Sequence, residues 1–389
     1  MEEKDIEQII LNTENLKAWA SQFQHKRYIY KQLMEVSKEF YIGVKGLRGI
    51  GKTTLLLQMC KETGDSAYFS ADSTPLRHYS LYEIVDALRK KGLKNIFIDE
   101  IHTRQGWAAD LKTIYDEHAV RVFFSGSSSI NLRDTSADLS RRAVVYHLKP
   151  VSFREYLNIR KEMEIPPCTL EELLENPGPL SIKHVSAKEW MGEYMKFGGV
   201  LYSGKGFQKA LENSLEKVIT KDLLALRDIN QKYKEDAYRL LYHIAVSPPF
   251  ETSFSSIASK LGISKAFAIR LVSDLESAGV LSIAHPCAAT GRDVKKEPKI
   301  FLAIPLKAFF SYPPPKGAVR EEFFVNHVSP ECYFKSGKGE KTPDFRVGNF
   351  RIEVGGGSKS FAQNPDYIAA DTGIAEGKKI PLFLFGFLY

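Results

Sequence analysis

No stretch of this chain approaches the ~18 uncharged apolar residues that a membrane helix needs, so no membrane span is expected. The opening residues, Met1-Glu2-Glu3-Lys4-Asp5, are charged and hold no apolar core of a secretory leader. Cysteine is scarce. Cys60, Cys168, Cys287 and Cys332 lie far apart and none forms C-x-x-C, which predicts neither a zinc site nor a disulfide framework and fits a reducing, cytoplasmic setting. A strong charge excess is also missing, since a net charge of +7 permits contact with nucleic acid without demanding it. What remains, 43% hydrophobic and 26% charged over 389 residues, is a globular composition with room for roughly two to four domains.

The most specific local pattern is Gly46-Leu47-Arg48-Gly49-Ile50-Gly51-Lys52-Thr53, an unbroken G-x-x-x-x-G-K-[ST]. An apolar run at residues 40–44 precedes it and a helix-forming run at residues 53–59 follows, giving the strand–loop–helix setting of a phosphate-binding loop. Each residue type has a chemical reason. Gly46, Gly49 and Gly51 allow backbone angles and close approaches that a β-carbon blocks. Backbone N–H groups of the loop and of the helix start, at Thr53 and Thr54, then point at phosphate oxygens. Arg48 and Lys52 add positive charge, and the Thr53 hydroxyl is suited to Mg²⁺.

Four further strand-like runs follow, at residues 67–70, 95–100, 120–126 and 143–148, with helical stretches at 81–91 and 108–118. Strands alternating with helices predict an α/β domain with a parallel sheet, whose ligands sit at the carboxyl ends of the strands. Asp99 ends one apolar strand and is placed to hold Mg²⁺ with Thr53. Glu100, the next residue, is placed to orient or deprotonate the attacking water. One of Ser125, Ser127 and Ser128 is a candidate to contact the γ-phosphate or the water. Arg141 and Arg142 open the last strand, and an arginine from the same chain or a neighbour can stabilise charge in phosphoryl transfer.

Residues 46–53, 96–100, 124–128 and 139–156 together resemble the AAA-superfamily ATPases called archaeal-type or STAND-related. The resemblance implies a P-loop NTPase sheet in the order 5-1-4-3-2, a helical lid, a winged helix-turn-helix and a C-terminal α/β restriction-endonuclease-like domain. It puts the sensor at Ser127 and the arginine at Arg142. It also implies ATP rather than GTP, and no clear N/T-K-x-D guanine signature argues otherwise. The corresponding boundaries are an N-terminal helical segment at 1–35, the ATPase core at 36–150, the lid at 151–230, the winged helix at 231–305 and the nuclease-like domain at 306–389.

Residues 254–278 read as helix, short glycine turn at Gly262-Ile263-Ser264, and helix, a helix-turn-helix pattern. Strand-like residues 279–283 and 300–303, with a charged turn between, suit a wing. If DNA is bound, Ser264, Lys265 and Arg270 face it; the same module serves equally for packing between domains.

The C-terminal region carries Pro343-Asp344 and then Glu353 on the next strand, after a helix glutamate, Glu321 or Glu322, of which Glu322 is assigned here. This resembles the PD-(D/E)xK nucleases, whose carboxylates hold Mg²⁺ and whose lysine activates water. The pattern wants lysine at 355, where this chain has glycine. Lys359 lies four residues on, past Gly355-Gly356-Gly357-Ser358. The apolar end, residues 380–389, reads as a buried terminal strand.

The expected function is an ATP-binding, Mg²⁺-dependent ATPase acting as a nucleotide-driven switch on DNA or a protein partner, with an oligomer left open. The alternatives are a DNA-binding regulatory module with slow ATPase, or a metal-dependent nuclease.

Overall fold

The computed structural model describes residues 1–128, 139–223, 231–247, 253–287, 298–310, 316–335 and 341–389. The chain divides into two compact units, Met1–Lys149 and Pro150–Tyr389. Among the described residues no helix is long and apolar enough to cross a membrane.

The first unit is built on β1 (Tyr41–Lys45), β2 (Ser66–Ser70), β3 (Asn95–Asp99), β4 (Arg121–Gly126) and β5 (Ala143–His147). The order is β2-β3-β4-β1-β5, which from the opposite edge is the 5-1-4-3-2 that the resemblance implies. Every neighbouring pair is parallel, because a helix or crossover returns the chain between strands. The central strands are apolar on both faces, with Ile42, Val44, Ile96, Phe97, Ile98, Val122, Phe123 and Phe124 buried. Phe97 and Phe123 stack with ring centroids 4.4 Å apart. Gly43 makes room for this packing, since a β-carbon there would meet the Phe124 ring at 2.6 Å and Val145 at 2.7 Å.

Local chemistry sets the covering helices. Helix Leu81–Lys90 starts at a capping box made by Ser80 and Glu83 and buries Leu81, Ile84, Val85 and Leu88, one stripe at helical spacing. Helix Glu3–Ala20 belongs to this same unit, although the sequence sets 1–35 apart as a segment. It buries Ile6 and Ile9, and its Thr13 hydroxyl accepts a hydrogen bond from the Tyr68 N–H at 3.0 Å. That bond satisfies an outward donor of β2, an edge strand.

The second unit joins what the sequence divides into lid, winged helix and nuclease-like domain. Its sheet runs β12-β11-β10-β9-β8, from β8 (Cys332–Tyr333), β9 (Phe345–Val347), β10 (Phe350–Gly356), β11 (Tyr367–Asp371) and β12 (Lys379–Pro381). β10, β11 and β12 are parallel, while β8 and β9 are antiparallel additions. Helix Phe153–Lys161, at the start of the expected lid, packs into the core of this sheet. Phe153, Tyr156 and Leu157 share a cluster with Phe323, Phe324, Phe345, Phe383 and Phe385. Ser152 Oγ donates to the Tyr389 carbonyl at 2.7 Å, and the Phe153 N–H donates to His327 Nε2 at 3.0 Å. The large aromatic side chains explain why this helix is built into the core.

Helices Gln231–Val246, Phe254–Leu261 and Lys265–Ser277 are followed by an antiparallel pair, β6 (Leu281–Ala284) and β7 (Lys299–Leu302). Gly262, at φ +69°, ends the second helix, and the Ser264 side chain caps the third by accepting from the Phe267 N–H. Most of the expected charged turn of the wing lies outside the described residues.

Two expectations are corrected here. Cys287 and Cys332 form a disulfide. Backbone pairing brings them together, with the Cys287 N–H on the Tyr333 carbonyl and the Tyr333 N–H on the His285 carbonyl, each at 2.8 Å. Their separation of 45 residues carries no spacing motif, and the cytoplasmic expectation loses one of its supports. The C-terminal run is no continuous strand: after β12 the chain turns into a buried 3₁₀ helix, Leu382–Phe387.

Candidate functional site

The glycine loop follows β1, at the carboxyl end of the sheet. Gly49 and Gly51 have φ of +82° and +93°, which glycine adopts without strain. A β-carbon on Gly46 would lie 2.6 Å from the Leu148 carbonyl oxygen. Helix Lys52–Glu62 begins directly at the loop, with Gly51 at its N-cap. The N–H groups of a helix start are suited to an anion. Lys52, buried, donates to the Gly46 carbonyl at 2.9 Å and the Leu47 carbonyl at 3.1 Å. Arg27, buried 19 residues before the loop, supports it by donating to the Ile50 and Lys149 carbonyls. No sequence pattern singles Arg27 out.

β3 carries Asp99 to the same end of the sheet. Thr53 Oγ1 donates to Asp99 Oδ2 at 2.6 Å, joining the two residues expected to share Mg²⁺. Two residues that the sequence reading missed complete this corner. Tyr68, on β2, donates its hydroxyl to Asp99 Oδ2 at 2.9 Å. Burial and then the Asp99 charge push the Tyr68 phenol well above its ordinary range, so it stays a donor. His102 lies beside Glu100, with Nε2 3.6 Å from Glu100 Oε2, and its Nδ1 accepts from the Ser127 N–H at 3.3 Å. Among the three candidate serines, Ser125 donates its hydroxyl to Asp99 Oδ1. Ser127 offers its backbone N–H to His102. Glu100 sits at φ +51°, and its Oε2 lies 3.6 Å from Arg48 Nη1.

Arg142 is not brought to this site in its own chain. The registers Tyr41↔Ala143 and Lys45↔His147 place it before the start of β5, while the loop follows the end of β1. The length of a strand, roughly 13 Å, lies between. Its guanidinium donates to Asp116 at 2.9 and 3.1 Å. Parallel pairing decides this, because strand starts and ends fall at opposite edges.

The donor set fits a nucleoside triphosphate with its cation. A glycine-led helix start beside a lysine suits phosphate oxygens, and a threonine–aspartate pair suits a hard cation that takes oxygen ligands.

The second unit holds another charged cluster, and here Glu322 is a correction. It is fully buried against Lys307, at 3.5 Å, with its carboxyl pushed up to about 7, chiefly by burial. Glu321 is the helix residue that feels Asp344 and Glu353, and burial pushes its carboxyl up to about 7 as well. Consecutive helical residues point about 100° apart, so only one can face the sheet cluster. Lys359 reaches this cluster from four residues past Gly355, with Nζ 2.5 Å from Glu353 Oε1. Burial works against the Lys359 charge, but the Glu353 partner prevails and its pKa is raised. Lys299 Nζ lies 3.2 Å from Glu321 Oε2, and Asp344 Oδ2 accepts from the Val354 N–H at 2.8 Å. Among the described residues no three His, Cys, Asp or Glu converge on a metal position. Glu322 thus pairs with Lys307, and it is Glu321 that lies near Asp344 and Glu353.

Lys265 and Arg270 are both exposed on their helix, and the Arg270 guanidinium lies 5.0 Å from the Phe267 ring centroid.

Residues 38–157 match the family described as AAA domain. With the parallel sheet and its phosphate loop, the match supports an AAA-type P-loop fold for this segment. An uncharacterized protein of Methanocaldococcus jannaschii is 31% identical over 299 residues, covering 70% of this chain and 63% of that protein. A second uncharacterized protein of the same organism is 26% identical over 168 residues, covering 40% of this chain and 34% of that protein. The chain thus spans less than two thirds of the length of either relative. Among solved structures, AMPPCP-bound DnaA from Aquifex aeolicus is similar at 18% identity and a TM-score of 0.27, over 64% of this chain and 86% of that one.

Proposed function

We propose that this protein is an ATP-binding, Mg²⁺-dependent ATPase that acts as a nucleotide-driven switch. The observation that carries the reading is the 2.6 Å bond from Thr53 to Asp99, which joins the end of the glycine loop to the end of β3. Magnesium, when bound there, would neutralise charge on the β- and γ-phosphates. Lys52 and the start of its helix bind the phosphates. Glu100 orients a water for in-line attack and takes its proton as the new phosphorus–oxygen bond forms. The bond from the γ-phosphorus to the bridging oxygen breaks, and ADP leaves with that electron pair. Tyr68 and Ser125 hold Asp99 in place.

The test is a pair of variants. Lys52→Ala should abolish ATP binding, whereas Glu100→Gln should bind ATP and lose hydrolysis. Turnover in Glu100→Gln equal to that of the wild type would remove Glu100 from its role.

A second reading, phosphodiester cleavage in the second unit, is favoured by the return of Lys359 to Glu353. The carboxylates present no three-ligand metal arrangement, so no metal step is assigned. Plasmid cleavage with Mg²⁺ or Mn²⁺ that disappears in Asp344→Ala and Lys359→Ala would support it. Cleavage that persists in both variants would reject it.

A further inference from the structure

Glu100 is held in a way that a water-activating carboxylate does not need. Its backbone occupies the left-handed region, at φ +51°, and its N–H donates to Asp99 Oδ1 at 3.1 Å and Ser125 Oγ at 3.3 Å. Its Oε2 is buried and accepts no hydrogen bond from the described residues, yet it has cationic or N–H neighbours on two sides, Arg48 Nη1 and His102 Nε2, each at 3.6 Å. The Ser127 N–H occupies His102 Nδ1, so the ring proton of a neutral imidazole sits on Nε2, facing the carboxylate. Arg48 belongs to the glycine loop itself, between Gly46 and Gly49. The carboxylate proposed to activate water is thus tied to the loop that would wrap the phosphates.

We propose that Arg48 senses the γ-phosphate and is coupled to Glu100. Without a γ-phosphate, the guanidinium stays on the Glu100 carboxylate. A nucleoside triphosphate offers Arg48 a more highly charged oxygen group that matches its planar fork, and a diphosphate does not reach it. Arg48 then leaves Glu100, whose carboxylate becomes available to water. His102, pinned by Ser127, is a positioning residue that keeps the released carboxylate at the end of β3. The device distinguishes ATP from ADP through a residue of the loop itself and uses no arginine from β5. It rests on the nucleotide reading given above.

Equilibrium binding tests it without relying on turnover. The dissociation constants of a fluorescent non-hydrolysable ATP analogue and of fluorescent ADP would be measured for the wild type, Arg48→Ala, Arg48→Lys, Glu100→Gln and the Arg48→Ala/Glu100→Gln double variant. Arg48→Ala should weaken the triphosphate about tenfold or more, as for loss of a charge-assisted hydrogen bond, and change ADP by less than about twofold. Arg48→Lys should keep part of the preference, which separates lost sensing from a collapsed loop. Glu100→Gln should tighten the triphosphate by releasing Arg48, and this gain should vanish when Arg48 is alanine. Equal weakening of both nucleotides by Arg48→Ala, or a Glu100→Gln gain that survives without Arg48, would overturn the coupling while leaving the nucleotide site standing. A wild-type protein that binds neither nucleotide would remove the nucleotide reading and the coupling with it.

Discussion

Lys359 lies across Gly355, so that a β-carbon on that glycine would stand 2.9 Å from Lys359 Cγ and Cδ. The lysine's ammonium ends 2.5 Å from Glu353 Oε1. The glycine that breaks the sequence pattern is what admits the lysine from four residues on.

Gly355→Lys, which restores the sequence pattern, is therefore expected to harm this cluster. The new side chain competes with the Lys359 stem for the same space, and overpacking costs ~1–3 kcal/mol. Chemical denaturation of Gly355→Lys and of Gly355→Lys/Lys359→Ala checks it. The double variant should recover most of the loss, because the competing stem is gone.

Tyr68→Phe is expected to leave the fold intact and to raise the magnesium concentration that gives half-maximal ATP turnover. The hydroxyl holds Asp99 Oδ2 at 2.9 Å, and loss of such supporting bonds typically weakens a metal site ~10- to 100-fold. Turnover against magnesium for wild type and variant reads the effect. An unchanged magnesium curve would show that Tyr68 does not orient Asp99.

The contribution of Glu321 and Glu322 to stability should fall as pH rises from about 4.5 to about 7, because both carboxyls are pushed up to about 7 in the folded chain. In that window the unfolded chain has released these protons while the folded chain retains them, so rising pH favours unfolding. The stability is fully present below the unfolded value and is lost through the folded one. For Glu322 alone the shift corresponds to a penalty on the order of 3 kcal/mol at neutral pH. Glu322→Gln should flatten this dependence, as read from thermal midpoints at about pH 5 and about pH 8.

If the helix carrying Lys265 and Arg270 meets DNA, retention of a duplex should fall steeply with salt. Lys265→Ala should then lower the slope of log affinity against log salt by about one. Salt-independent retention, measured by filter binding, would instead assign these helices to packing within the protein.

Local features were legible in the sequence because their causes are local. The glycine loop declares its backbone angles in Gly49 and Gly51. Asp99 stands at the end of an apolar strand, and alternation of strand and helix is written in hydrophobic period. These suffice for a parallel sheet with a triphosphate-suited edge. The Ser80–Glu83 and Ser152–Glu155 capping boxes have local causes too, though they emerged only with the structure.

Tertiary structure alone decided which side chains converge. Tyr68 reaches Asp99 because β2 and β3 pair in register, Ser70 opposite Asp99. Arg142 falls at the far end of the sheet for the same reason. A helix rotation of about 100° chose Glu321 over Glu322, and two backbone hydrogen bonds brought Cys287 to Cys332. A sequence fixes backbone preference and hydrophobic period over a few neighbours. The meeting of residues far apart in the chain depends on strand register and packing, which exist only once the whole core has closed.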